Sequence, residues 1–274
     1  MHPDLQRRVQ RYGWDRAAAY YEPHWRRQLQ PAQHRLLEVA ALQPGAHVLD
    51  VACGTGLVTF PAAAAVAPDG DVLGTDLSEG MIERARQIAR QRGIQNVSFE
   101  RMDAEALQVP DRAFDVALCA LGLMYVPDPL RAAREMYRVL VPGGRAVVLV
   151  WGERRRCGWA DIFPIVDRRV ASDVCPMFFQ QGTGDTLQRT LEAAGFVDVE
   201  AERLTTTLRF DSPEDACGAA FAGGPVALAY RRFDDAPREE VHAEYLASIA
   251  PYRNGTGYAI PGEFVIARGM RPHT

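Results

Sequence analysis

Short, mostly apolar runs alternate with longer segments in which apolar residues recur at helical spacing, and this order predicts strands alternating with helices. Leu36, Leu37, Val39 and Ala40 mark a helix over Pro31 to Leu42, stopped by Pro44-Gly45. Val48, Leu49 and Val51 suit a buried parallel strand, which runs into a glycine turn and an alanine-rich helix ending near Ala67. A second strand closes at Asp76. Ser78 is placed to cap the next helix, with Met81, Ile82, Ala85, Ile88 and Ala89 on its apolar face and Gly93 at its stop. Strands at Val97–Glu100 and Phe114–Ala120, a helix from Pro129 to Leu140, and a strand at Ala146–Trp151 follow; the last is apolar throughout and expected to be central.

Strands and helices alternating at this pitch predict an α/β fold with a doubly wound parallel sheet. The pattern changes after Trp151. Residues 152–183 carry Arg154-Arg155-Arg156, a helix over Trp159 to Val170 and the run Pro176-Met177-Phe178-Phe179, and read as an insertion across the carboxyl ends of the strands. A helix from Asp185 to Ala194, a strand from Phe196 to Phe210, a second helical insertion over 212–255 and a closing strand at Glu263–Ala267 complete the chain. The expectation is a single domain, 1–274, with a helical lid segment at 1–44 and a binding core at 45–151.

The first strand and its turn, His47 to Leu57, carry the clearest chemistry. Gly54 and Gly56 let backbone approach a ligand closely, and Asp50 lies at the strand end, where open α/β sheets bind ligands. Asp76, twenty residues beyond Gly56, stands where an acid would meet the two hydroxyls of a ribose. A dinucleotide fingerprint needs a third small residue three places after the second glycine, but Thr59 is there.

Composition narrows the partners. The 31 basic and 35 acidic residues give a net charge of -4, which offers no field for nucleic acid. All the basic residues are arginine; without lysine, a Walker A loop, a Schiff base and a pyridoxal phosphate anchor are excluded. The first thirty residues lack the apolar stretch of a secretory signal, and the longest apolar runs fall short of a membrane span, so a cytoplasmic protein is expected. Cys53, Cys119, Cys157, Cys175 and Cys217 are odd in number and widely spaced, which suits reduced thiols. No acidic cluster has metal-ligand spacing, so no metal is expected.

Asp50-x-Ala52-x-Gly54-x-Gly56 resembles the first motif of the class I S-adenosylmethionine (SAM) methyltransferases, with Ala52 where a glycine often stands. The resemblance extends over roughly 45–200. It includes Gly74 to Ser78 with Met81, Met102 to Leu107, Phe114-Asp115-Val116, Tyr125 to Asp128, Val139 to Gly144, and Leu191 with Ala194-Gly195-Phe196. It is strongest to the branch holding the ubiquinone and menaquinone methyltransferases. The resemblance implies a seven-stranded, mostly parallel sheet with a reversed last strand, helical insertions forming a lid, and methyl transfer from SAM to a small-molecule acceptor. It further implies that Asp76 holds the ribose, that Met81 packs on the adenine, and that Asp103 with Ala104 reads the adenine edge. The backbone of Ala52, Gly54 and Gly56 would meet the methionine portion; Asp50, Leu77 and Cys119 complete the expected cofactor set. Tyr20 and Tyr21 are candidates to face the sulfonium.

Trp25, Tyr125, Trp151 and Phe163 are the expected acceptor wall. Relatives often carry a histidine after strand four, where this chain has Met124-Tyr125; Tyr125, His24 and His34 are the candidate proton acceptors, with no base assigned. The arginines at 154–156 could meet an acidic substrate. Open alternatives are a SAM-binding module without chemistry, a thiol or arsenite methyltransferase, and an NAD-dependent oxidoreductase. A homodimer is also compatible with the sequence.

Overall fold

In the computed structural model, which describes residues 3–170 and 178–273, the chain opens with one 38-residue helix, α1 (Pro3–Ala40). The expected helix start at Pro31 is thus corrected: α1 runs through Pro23 and Pro31. A proline inside a helix removes one backbone bond. Here Ala17 and Ala18 before Pro23, Trp25 and Leu29 between the prolines, and Ala32, Leu36 and Ala40 after Pro31 are buried, at about 1.5–3 kcal/mol per large side chain, and hold the helix through both breaks.

The sheet contains β1 (His47–Val51), β2 (Asp71–Asp76), β3 (Val97–Arg101), β4 (Phe114–Ala120), β5 (Leu140–Trp151), β6 (Val197–Phe210), β7 (Arg253–Asn254) and β8 (Gly257–Met270). Seven strands run in the order β3-β2-β1-β4-β5-β8-β6, and the two-residue β7 pairs with β8 off this path. Pairings from β3 to β5 are parallel. β8 lies antiparallel between β5 and β6, the expected reversed ending. Between the strands come α2 (Thr59–Val66), α3 (Glu79–Arg92) and α4 (Pro129–Val139), followed by α5 (Ile162–Asp167) and α6 (Thr186–Ala194). Beyond β6 lie α7 (Pro213–Cys217), α8 (Ala227–Tyr230) and α9 (Asp235–Ser248).

The local signals act as read. Ser78 Oγ accepts from Met81 N at 3.1 Å, and Gly93 closes α3 at φ 66°. Two extents differ. α5 is shorter than the expected Trp159–Val170 helix. β8 is far longer than Glu263–Ala267, because pairing with β6 carries it through Pro261, Gly262 and the buried Glu263, whose carboxylate is held by Arg203 at 2.8 Å. Pro176, Met177 and Cys175 lie outside the described residues. Among the described residues no helix is long and apolar enough to cross a membrane.

Candidate functional site

Parallel strands bring their carboxyl ends to one edge, and the loops leaving β1, β2, β3 and β4 meet there around a cavity. At the turn after β1 the backbone is left-handed three times in five residues: Ala52 at φ 56°, Gly54 at 55° and Gly56 at 91°. Only glycine takes this conformation freely, so the residue for which relatives often use glycine is an alanine held under strain. Its space is set by Gly122 after β4, where an added Cβ would sit 2.3 Å from Ala52 Cβ. Gly54 is different: a Cβ there meets only Tyr21, at 3.9 Å, so this stretch of backbone is open to a ligand.

Asp76 lines the cavity at the end of β2. Its two oxygens accept from Gly54 N at 2.9 Å and Ser78 N at 2.8 Å, which fixes the carboxylate and leaves lone pairs free. Burial pushes its pKa up to about 6. Asp50 is fully buried behind the turn, with Thr59 Oγ1 donating to one oxygen at 2.6 Å and no partner for the other. Burial chiefly, opposed by that bond and aided by Asp76, raises it to about 7. Among the described residues no cation is a leading influence on either carboxylate.

α1 lies along the whole cleft. Arg7 pairs with Asp103 at 2.9 Å and with the buried Glu105 at 2.7 Å, Asp15 accepts from Ser78 Oγ at 2.6 Å and from Gly80 N at 3.1 Å, and Tyr21 faces the glycine turn. Trp25 reaches the far end, about 27 Å along the helix from Arg7. There Trp25, Trp151 and Trp159 pack with centroids 4.8–6.2 Å apart. Tyr125 bridges Trp14 at 5.3 Å and Phe178 at 5.4 Å.

The cavity brings together Ala52, Gly54, Asp76, Leu77, Met81, Asp103, Ala104, Tyr21, Trp25, Tyr125 and Trp151. Other expected residues stand back from it. Cys119 is buried within the sheet layer, and the lining passes to Ala120, Leu121 and Gly122 instead. Gly56 serves helix packing, since a Cβ there would be 2.6 Å from Phe60. Asp50 acts from behind. Phe163 backs the wall through Trp159 and Phe178 rather than forming it. His24 packs against Gly218 outside the lining, Tyr20 is 52% exposed, and the exposed His34 pairs with Glu38. Arg155 and Arg156 are engaged on the surface with Glu153 and Glu263.

Sequence reasoning missed Arg7, Gln10, Arg11 and Trp159 as lining residues. For the first three a signal existed: with Trp14, Tyr21 and Trp25 they recur three, four or seven positions apart, which is one face of a helix. Cys53, Cys119, Cys157 and Cys217 are buried, apart from the lining, and have thiols pushed up by burial. Among the described residues no three His, Cys, Asp or Glu side chains form a metal-holding group.

Residues 48–144 match the methyltransferase domain family. A demethylmenaquinone methyltransferase of Geobacillus kaustophilus is 30% identical over 75% of this chain and 95% of its own length. One from Geobacillus stearothermophilus is 34% identical over 60% of this chain and 76% of its own. The fold is shared with the Haemonchus contortus phosphoethanolamine N-methyltransferase 2 solved with phosphomonomethylethanolamine and S-adenosylhomocysteine, at a TM-score of 0.62, 16% identity and coverage of 94% of this chain and 57% of that one. With the strand order, the glycine turn and the acid at the end of β2 all in place, this chain belongs to the class I SAM-dependent methyltransferases, in the quinone-type branch, and transfers the methyl group of SAM to a small-molecule acceptor.

Proposed function

We propose that the cavity holds SAM along the strand ends and a flat aromatic acceptor, of quinol or phenol type, against the ring wall. The observation that carries this reading is the division of one cavity into two chemistries. One end has open backbone at Gly54 beside a carboxylate on which, among the described residues, no cation is a leading influence; the other has rings from four separate segments. A cofactor bearing a sulfonium and an ammonium suits the first end, where Asp50 and Asp76 leave negative charge unbalanced. Asp76 then accepts from the ribose hydroxyls, Met81 packs on the adenine, Asp103 reads its edge, and the backbone at Ala52 and Gly54 meets the methionine portion. The demethylmenaquinone methyltransferases among the relatives support a quinol acceptor.

Bound SAM supplies a methyl group already activated by a positive sulfur, so the protein's task is alignment. Holding an acceptor in line can contribute on the order of 7–11 kcal/mol. Among the described residues no histidine, cysteine or glutamate lines the cavity, and burial, with Asp76 nearby, holds the Tyr21 phenol above its ordinary range. The acceptor therefore brings its own electron pair, as an ionised ring oxygen or its conjugated carbon, and the rings exclude water. Acceptor choice falls to α1 with Trp159 and Phe178 of the first insertion and Gly224-Pro225 of the second.

Calorimetry with S-adenosylhomocysteine and with NAD tests the cofactor half: the first binds and the second does not. A screen of phenols, quinols, amines and thiols with tritiated SAM tests the acceptor half. Methylation confined to amines or thiols would end the aromatic reading.

A further inference from the structure

The ring end of the cavity is poor in polar groups, and its indoles differ in what their N–H groups do. Trp25 Nε1 donates to the carbonyl of Ala219 at 3.2 Å. Trp159 also lines the cavity and is 3% exposed, but its buried Nε1 has no partner among the described residues. Around it stand Trp25, Trp151, Phe163, Phe178 and Phe179. None of these rings carries an acceptor oxygen. A buried donor left unpaired weakens the free protein, and nearly all such donors in folded chains are paired. One that persists on the wall of a ligand cavity is suited to pair with the ligand.

We propose that the Trp159 indole N–H is the hydrogen-bond donor that orients the acceptor, and that the acceptor therefore carries a carbonyl or ionised oxygen on its aromatic ring. This rests on the methyl-transfer reading above and adds to it. An apolar wall holds a flat ring but lets it turn in its own plane; one directional bond to a ring oxygen fixes which edge faces the methyl donor. An ionised oxygen makes the shorter and stronger bond, so Trp159 favours the form of the acceptor that needs no base. Trp159 is thus assigned to positioning and specificity, with no part in proton transfer.

The test uses the whole protein saturated with S-adenosylhomocysteine, with saturation confirmed by calorimetry. Nitrogen-labelled indoles give one N–H resonance for each of the four tryptophans, and Trp159→Phe identifies that of Trp159. The probes are a naphthoquinone with both free quinone-edge carbons methylated, which cannot be methylated there, and a methylated naphthalene of the same outline without carbonyls. The Trp159 resonance should move downfield with the quinone and not with the hydrocarbon. Wild type should bind the quinone about three- to tenfold more tightly than the hydrocarbon, and Trp159→Phe should bind both alike. If the variant does not fold, the wild-type resonance decides. A Trp159 resonance unmoved at quinone saturation, a variant that keeps the preference, or a quinone that does not bind the saturated protein overturns the proposal. Failure of S-adenosylhomocysteine to bind would instead overturn the cofactor reading.

Discussion

The two carboxylates at the glycine turn make the free protein less stable as pH rises. Both have folded-state pKa values above the usual carboxylate range, about 7 for Asp50 and about 6 for Asp76. The folded chain therefore holds protons that the unfolded chain has released. Their stabilising contribution is complete below about pH 4 and is lost as pH rises through 6 and 7. Between pH 5 and 8, Asp50 crosses about two units and Asp76 about one, which at 1.36 kcal/mol per unit is ~4 kcal/mol. Cavity water beside Asp76 reduces this, so we expect about 2–4 kcal/mol, or roughly 5–15 °C in Tm. His24 and His242 oppose the trend: burial lowers both, so their contributions are lost as pH falls. The assay is therefore a difference: thermal unfolding at fixed ionic strength from pH 5 to 8, wild type against Asp50→Asn/Asp76→Asn. Wild type should lose stability relative to the double variant across this range, and S-adenosylhomocysteine should shrink the loss by donating ribose hydroxyls to the ionised Asp76. Parallel curves for the two proteins would refute the reasoning.

Ala52→Gly should raise stability by about 1 kcal/mol, because it relieves a left-handed alanine; an unchanged or lower denaturation midpoint would count against strain at the turn. Arg7→Ala removes the cation that compensates the buried Glu105 and should cost about 2 kcal/mol, with faster hydrogen exchange over residues 3–20 as the readout. On the proposed division of the cavity, Tyr125→Ala should cut methyl transfer while shifting S-adenosylhomocysteine affinity by less than about 1 kcal/mol; equal turnover would move the acceptor elsewhere. Turnover should survive EDTA, and loss restored by a divalent ion would indicate an acceptor whose oxygens a metal holds.

The sheet was legible because its first five strands are short apolar runs closed by turn residues, and because Ser78 and Gly93 act locally. Gly54 and Asp76 followed from the same turns, and both line the cavity where strand ends must put them. The ring end of the cavity was less legible. Phe163 and Trp159 lie four residues apart with similar apolar character, and only the packed structure shows that Trp159 faces the cavity while Phe163 backs it. α1 was cut short by its prolines, since nothing local announces the distant surfaces that hold it together.

Those surfaces set an order on assembly. Arg35 meets Glu202, Gln28 meets the backbone of Arg209, and Trp25 donates to Ala219, a separation of 194 residues. The helix that closes the cleft is synthesised well before the part of its docking surface that holds Glu202, Arg209 and Ala219. At 5–20 residues per second, α1 waits roughly 10–40 s on the ribosome for Ala219 to follow Trp25. Through that interval the face carrying Trp25, Leu29 and Leu36 has only part of its native cover, Trp151 and Trp159 emerging before Ala219, which leaves this stretch of the nascent chain open to a chaperone.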